Sequence, residues 1–515
     1  MARFKDTNVS QGLFITVNLI DQILPFTFEW TLKYLFDKMD LSIFNNYYRN
    51  DKLGAAAYPP NLLLTIILFC YSRGIISSRK IEKACLENMI VKALAEGIEP
   101  DHATIADFIS RNNEEVENLF TEVLLQCNVL DLIGGEMFAI DGRKMSSNAS
   151  KEWSGKIEEL EKKRDKLKQH ISRMLLRHQD LDKSESAKKI LEPFSKTMGD
   201  DKERREKSIK KMEKKLRKLN AFLKFAKPKI GVSGEEVKTN VTDPESAHMK
   251  GAHSAHIQGY NGIGIADSAN QIIVSAEVIG SGPESGCLPK MLDSLEDNMK
   301  KVTGKENPLE GALLEGDTGF FSEDNLQEAD KRNIEVLIPD QQFRQRDPVF
   351  ADRDEKEATK KKFTIEDFEY DEKNDSYKCP GEEILTHNGH VKLRNNEGEK
   401  YQAKKGTCAK CSLIDKCISK RTSDNPVRTL YIAESKYEEN LSEKMRKKID
   451  DPAYRELYSR RMQIIEPTFS NITYCKGMHR FTMRGEKKNG IQWKLYTIVH
   501  NIGKCMNALM KKKEA

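Results

Sequence analysis

Three carboxylates stand where a fold could gather them. Four apolar residues, Met137 to Ile140, run straight into Asp141, and Ala312-Leu313-Leu314-Glu315-Gly316 leads into Asp317 in the same way. Continuous apolar runs of this length suit strands buried on both faces. A carboxylate at the end of such a strand lies at the rim of the sheet, where open α/β folds bind ligands and metals. A third acid, Glu466, lies in RRMQIIEPTFSNI, which reads as a helix. Mg²⁺ takes oxygen ligands in near-octahedral geometry, so carboxylates suit it. Two such ions about 3.5–4 Å apart can activate a water and stabilise the leaving oxygen of a phosphodiester. The expectation is that Asp141 bridges two Mg²⁺ (or Mn²⁺) ions, Asp317 holds one and Glu466 the other, to cut and join DNA. Glu315 and Asp340 stand beside the same strands as rivals, while Asp267 falls in a turn at the far end of a hairpin and is set aside.

The totals bound the elements that must position these residues. A chain of 515 residues is too long for one simple core, so two to four domains are expected. The net charge of +5 decides little, but its distribution is uneven. Residues 201–230 hold 13 Lys/Arg against 4 Asp/Glu, and residues 471–515 hold 10 against 2. Concentrated positive charge marks a polyanion-binding surface; for the first block a solvated helix face is an equal reading. The longest apolar run, Leu62 to Tyr71, is too short to span a bilayer, and Asp21 and Glu29 interrupt the N-terminal apolar residues. The expectation is a cytoplasmic, nucleoid-associated bacterial protein with no membrane partner. Its ten cysteines would be free or metal-bound.

Along the chain, residues 1–135 read as short helices broken by Gly74, Gly97 and Pro100, with Asp101 as an N-cap. This is either a helical DNA-binding or a dimerisation domain. Residues 136–150 and 240–340 supply the α/β core, in the order strand, hairpin, helix, strand, helix, strand. Between them, residues 151–239 read as a basic helical hairpin or coiled coil, with one seam through Ile157, Leu160, Leu167, Ile171, Met174 and Leu181. A second seam follows Pro193, through Ile209, Met212, Leu216, Leu219 and Leu223. Residues 341–450 read as a polar, irregular insertion carrying Cys379, Cys408, Cys411 and Cys417. The C-x2-C pair has the bite for one tetrahedral ion and two more thiolates would complete a Zn²⁺ site; free thiols on a loop are the alternative. Residues 451–515 hold the helix with Glu466 and a basic tail, where Lys476, Arg480, Arg484, Lys487 and Lys488 are candidate phosphate contacts. Trp493 reads as core.

Several motifs in fixed order resemble one family. YPPNLLLTIILFCYSRGIISSRKIEKACLENM with PDHATIADFISRN, then AIDGRKMSSNAS, TDPESAHMKGAHSAHIQGYNGIGIAD, GDTGFFSEDNL, the four cysteines and IEPTFSNITYCKGMHRFTMRGEKKNGIQWKLYTIVHNIGK are similar to those of DDE transposases of bacterial insertion sequences, in the eleven-eighty-two family related to the IS-four group. The resemblance implies a ribonuclease-H-like catalytic core with an N-terminal helical domain and an insertion before the last helix. It implies catalytic roles for Asp141, Asp317 and Glu466, and a homodimer on the terminal inverted repeats that joins freed 3′-hydroxyls to target DNA. Two features depart from the pattern. Thr473 stands where the wider group often has a lysine, with Lys476 the nearest basic residue, and the hairpin at 156–225 is long. A nuclease on the same fold without strand transfer, or a domesticated DNA-binding protein, would share these residues.

Overall fold

The computed structural model describes residues 18–46, 48, 56–188, 197–231, 234–251, 255–347, 363–393, 396–418, 426–433 and 440–514. The N-terminal helices begin and end where capping chemistry places them. Helix α1 (Phe28–Phe36) opens on Thr27, whose hydroxyl accepts the Trp30 N–H. Helix α2 (Pro60–Ser72) opens on a proline and is buried from Leu62 to Tyr71, so it is apolar all round. Helices α3 (Ser78–Glu87), α4 (Met89–Leu94), α5 (His102–Arg111) and α6 (Asn113–Val129) follow, with Asp101 accepting the N–H groups of Ala103 and Thr104 as expected of its position.

Strand β1 (Met137–Ser146) runs well past the apolar run that announced it. It continues because an antiparallel neighbour accompanies it. Residues Phe138 to Ser146 pair with β3 (His256–Asp267), while parallel pairing to β5 (Leu313–Glu315) covers only Met137 to Ala139. Asp141 is therefore mid-strand, not at a strand end. It sits two residues past the last residue paired to β5, so the sheet has a rim there on one side only. Strands β2 (Ala247–Lys250) and β4 (Ile273–Ile279) lie along the other edge of β3, and β6 (Glu335–Leu337) runs parallel to β5 on its far side. Helix α9 (Leu288–Thr303) links β4 to β5, and helix α10 (Glu323–Lys331), capped by Ser322, links β5 to β6. The α/β element order is the one expected.

The hairpin forms helices α7 (Ile157–Lys188) and α8 (Thr197–Leu223), which pack together with Leu160, Ile171, Ile209 and Leu219 buried. The Leu181 side chain and Pro193 lie outside the described residues. Residues 363–433 correct the expectation of an irregular segment. They form a five-stranded antiparallel sheet of β7 (Glu369–Asp371), β8 (Ser376–Lys378), β9 (Ile384–Leu393), β10 (Asn396–Ala403) and β11 (Thr429–Ala433). Its register slips between His387 and His390, and its core is only Phe368, Leu385, Tyr401, Ala403 and Leu430. Strands with so little to bury carry no apolar alternation to read.

After α11 (Leu441–Asp450) and α12 (Pro452–Ser459), helix α13 (Arg461–Ser470) crosses β1 and β3 and ends in a π turn, Asn471–Cys475. Helix α14 (Glu486–Glu514) then runs between the sheet and α1, α2, α5 and α6. The Trp493 ring is fully buried, its indole N–H donates to Ile263 O at 2.9 Å, and a Cβ on Gly262 would lie 3.2 Å from the indole. Asn501 seals the edge of β4: its amide donates to Ile273 O and its carbonyl accepts the Ile273 N–H, both at 2.9 Å. The N-terminal helices, the sheet and α14 thus share one continuous core. No helix among the described residues is long and apolar enough to cross a membrane.

His500, on α14, is enclosed between Asn471 Oδ1 at 3.2 Å and Gln271 O at 2.9 Å. Burial pushes its imidazole down to about 3. The folded protein holds it neutral, while the unfolded chain takes up a proton below about 6.5. Stability is therefore lost as pH falls from about 6.5 toward 3, by about 2 kcal/mol from this group at pH 5. Melting His500→Gln and the wild type at pH 7 and pH 5 checks this: the wild type is expected to lose more stability on acidification than the variant.

Candidate active site

Beyond the end of β5, the β1 backbone presents Asp141 toward the turn that follows β5. Its side chain is 19% exposed, and its Oδ1 accepts the Gly142 N–H at 2.8 Å. Arg461, the first residue of α13, brings Nη2 to 3.6 Å of the same oxygen. Burial pushes the Asp141 carboxyl up to about 6; Arg461 opposes this, and the nearby Asp317 and Glu284 add to it. Asp317 caps the short turn Thr318–Phe320 by accepting the Gly319 N–H at 2.9 Å.

Glu284 was missed in the sequence. It follows β4 in the loop Ser281-Gly-Pro-Glu-Ser-Gly286 and is buried against Gly142 and Lys144, on the face of β1 opposite to the Asp141 side chain. Asn261 Nδ2 donates to it at 2.7 Å, and Lys144 Nζ lies 3.5 Å away. Two glycines make room for it. A Cβ on Gly142 would lie 2.6 Å from Glu284 Oε1, and one on Gly319 would collide with Glu284 Oε2 and reach 3.0 Å from Asp317 Oδ1. Burial raises the Glu284 carboxyl, Lys144 opposes, and Asp317 pushes the same way as burial. Asn261 is fully buried and its Oδ1 has no hydrogen-bond partner. The signal available in the sequence was weak, an acid in a Gly/Pro/Ser loop five residues after the end of β4.

Behind these groups, Glu315 is fully buried with neither oxygen hydrogen-bonded, and burial pushes it up to about 8 against the pull of Arg461 and Arg460. Tyr458, on α12, faces the same cluster; burial raises its phenol to about 12, Arg461 opposes, and Asp317, Glu315 and Asp141 add to the rise. Asp340 is bound by Arg346 through both oxygens, at 2.6 and 3.1 Å, with Arg446 at 3.7 Å, which makes it part of a structural ion-pair knot. Asp267 holds the β3–β4 turn by accepting the N–H groups of Gly134, Gly135 and Ala269.

The structure brings Asp141 and Asp317 into electrostatic range and does not bring Glu466 to them. Glu466 is exposed on α13, five residues after Arg461, which at 100° per residue places it about 140° around the helix from the side facing Asp141. Among the described residues, no hydrogen bond or ion pair joins it to either aspartate. No three His, Cys, Asp or Glu side chains among the described residues are grouped as a ready metal cage. The donor set around Asp141 nevertheless fits a hard cation. It offers the carboxylate oxygens of Asp141 and Asp317 at a partly desolvated rim.

The four cysteines share a cavity without forming a closed cage. Cys379, Cys408, Cys411 and Cys417 line one cavity of about 30 Å³, with Arg428 at its wall. The Arg428 N–H donates to Cys408 Sγ at 3.4 Å. Burial raises the Cys417 thiol, Arg428 opposes, and the other three cysteines add to the rise. The basic candidates separate into two places. Arg480 and Arg484 are exposed beside the far end of β1, where Arg480 bridges to Ser146 and Arg484 donates to Asn148 O at 3.2 and 3.3 Å. Lys487 and Lys488 are exposed on the first turn of α14, whereas Lys476 is half-buried after the π turn.

Two family models match parts of the chain. Residues 378–506 match one described as "Transposase DDE domain", which takes in the four cysteines, Glu466 and most of α14. Residues 18–111 match one described as "Transposase domain (DUF772)", which takes in α1 to α5. Asp141, Asp317 and Glu284 lie outside both matched spans. No curated protein matches the chain. The two matches, at either end of one chain, support a transposase of the DDE type.

Proposed function

We propose that this chain binds the terminal inverted repeats of an insertion sequence as a homodimer, cleaves at the element ends and joins the 3′-hydroxyl ends to target DNA. The observation that carries the reading is the approach of Asp141 and Asp317 at the sheet rim, with Glu284 in electrostatic range of both. The sheet order β6-β5-β1-β3-β4, with β5 and β6 parallel to β1 and β3 and β4 alternating, supports a ribonuclease-H-like core. Asp141 and Asp317 would hold Mg²⁺ or Mn²⁺. When bound, such ions supply an activated water and neutralise charge on the phosphate. The chain's own groups prepare the site. Arg461 limits the cost of ionising Asp141, Lys144 does the same for Glu284, and Gly142 and Gly319 keep the space open for Glu284. For the third carboxylate, the motif nominates Glu466, and Glu284 is the rival because it lies in electrostatic range of both aspartates. Arg480, Arg484, Lys487 and Lys488 lie exposed and would contact phosphates beside the end of β1.

The test is cleavage and strand transfer on DNA flanking the gene, with Mg²⁺ or Ca²⁺, comparing wild type with Asp141→Asn, Asp317→Asn, Glu284→Gln and Glu466→Gln. The aspartate variants are expected to bind DNA but cut at least about 10²-fold more slowly, since each removes a charged ligand worth several kcal/mol to the transition state. A comparable drop in only one glutamate variant assigns the third position. Cutting without joining of a pre-cut end would favour a nuclease, and binding without any cutting would favour a DNA-binding protein.

We also propose a structural Zn²⁺ held by Cys379, Cys408, Cys411 and Cys417. A sheet with five buried core residues is short of the burial an isolated unit needs, and metal ligation supplies such units with folding energy. Purified protein is expected to carry about one zinc per chain, with Cys408→Ser losing it and melting at lower temperature. Full thermal stability in metal-free protein would refute the site.

A further inference from the structure

A cavity of about 400 Å³ opens where the N-terminal helices meet the end of α13. It is lined by Arg73, Gln271, Pro467, Lys476, His500 and Lys504 among others. Its walls come from five separate parts of the chain: the start of α1, the end of α2, the β3–β4 turn, α13 with its π turn, and α14. Two glycines with left-handed backbones close the junction. Gly74 has φ +73° and Gly477 has φ +69°, and a Cβ on either would lie 3.5 Å from the other segment's backbone.

The charge in this cavity is one-sided. Among the described residues, no carboxylate lies within ion-pair distance of Lys476 or Lys504. Lys504 Nζ donates instead to the neutral Gln271 Oε1 at 2.6 Å. Arg73 lies 3.7 Å from Glu29, a buried carboxylate behind it, and stacks over Phe69. His500 is neutral, as argued above, and Lys511 adds positive charge near Lys504. Burial lowers both lysines; for Lys476 the Cys475 thiol opposes this and Arg73 adds to it. Like charges gathered in a half-buried cleft are costly unless an anion neutralises them.

We propose that Arg73, Lys476 and Lys504 form a phosphate-binding pocket that grips the backbone of a DNA strand at the junction of the N-terminal helices and the catalytic core. The polymer that carries the phosphate rests on the transposase reading; the anion site itself does not. The pocket includes Pro467, the neighbour of Glu466, so a strand held there runs alongside α13. It ties DNA grip to the packing of α2 against the π turn, which neither family match assigns.

The test measures binding of full-length protein to a 30-base-pair duplex across KCl concentrations. Removing one phosphate-binding cation is expected to reduce the slope of log K against log salt by about 0.9. The triple variant Arg73→Gln/Lys476→Gln/Lys504→Gln is expected to give a slope smaller by one to two such steps, and roughly 10-fold or more weaker affinity at moderate salt. Lys301→Gln/Lys305→Gln/Lys331→Gln removes the same charge elsewhere and is expected to leave the slope near wild type. Equal effects of the two triples, or none from the first, would overturn the proposal. Inorganic phosphate is the second probe. It is expected to raise the melting temperature of the wild type saturably and not that of Lys476→Gln or Lys504→Gln, which also serve if the triple fails to fold. If the wild type binds no duplex, the transposase reading fails on its own account. The pocket then stands on a saturable phosphate shift and falls without one.

Discussion

Mutual repulsion of buried carboxylates is the constraint around which this chain is built. Asp317 and Glu284 lie close enough to Asp141 to raise its protonation, Asp317 does the same to Glu284, and Glu315 lies behind them with neither oxygen hydrogen-bonded. Such a cluster is unfavourable in isolation, because desolvation and like charge act in the same direction. It persists because the surrounding structure fixes it. Asp141 is locked into a nine-residue antiparallel register, Asp317 is spent capping a turn, and Glu284 is held by Asn261 and Lys144. Arg461 and Lys144 offset only part of the negative charge. Partly desolvated acids held this close favour a bound cation.

Holding that register needs support from behind the sheet, and α14 supplies it. The helix carries Trp493 against β3 at a glycine, Asn501 onto the open edge of β4, and a buried lysine, Lys494, bonded to Glu277 on β4 and Glu117 on α6. Each of these polar groups along its buried length joins the sheet to the helix or to the N-terminal helices beyond it. That is why the two transposase-like segments, far apart in sequence, meet in one core. The tail that composition marked as a basic DNA-binding stretch is therefore mostly structural from Asn489 to Ile502, and its exposed cations gather at its two ends.

What was legible in the sequence was whatever has local physics. The apolar runs before Asp141 and Asp317, the caps at Asp101 and Ser322, and the hairpin seams were all readable from neighbours in the chain. The five-stranded sheet was not, since strands that bury five residues in all leave no alternation. Glu284 was not singled out because its meaning depends on Gly142 and Gly319, which are near it only in three dimensions. The mid-strand position of Asp141 was also invisible: a polar stretch reads as a strand end unless its antiparallel partner is known to continue. Glu466 shows the converse. Its motif is conspicuous in sequence, yet the helix carrying it turns that side chain to solvent.

Helix α13 reconciles these observations. Its first residue, Arg461, touches Asp141; Phe469 packs over Gly264, opposite Asp141 in the β1–β3 register; and Pro467 and Asn471 border the basic cavity. The exposed Glu466 sits between those two functional ends. Pro467 removes a hydrogen bond from the helix interior, and the π turn that follows widens the next turn, so this helix is weakest just after Glu466. A phosphate drawn into the pocket would press on the part of α13 least able to resist rotation. The cavity and Glu466 thus share one helix, with Pro467 next to Glu466 in its lining.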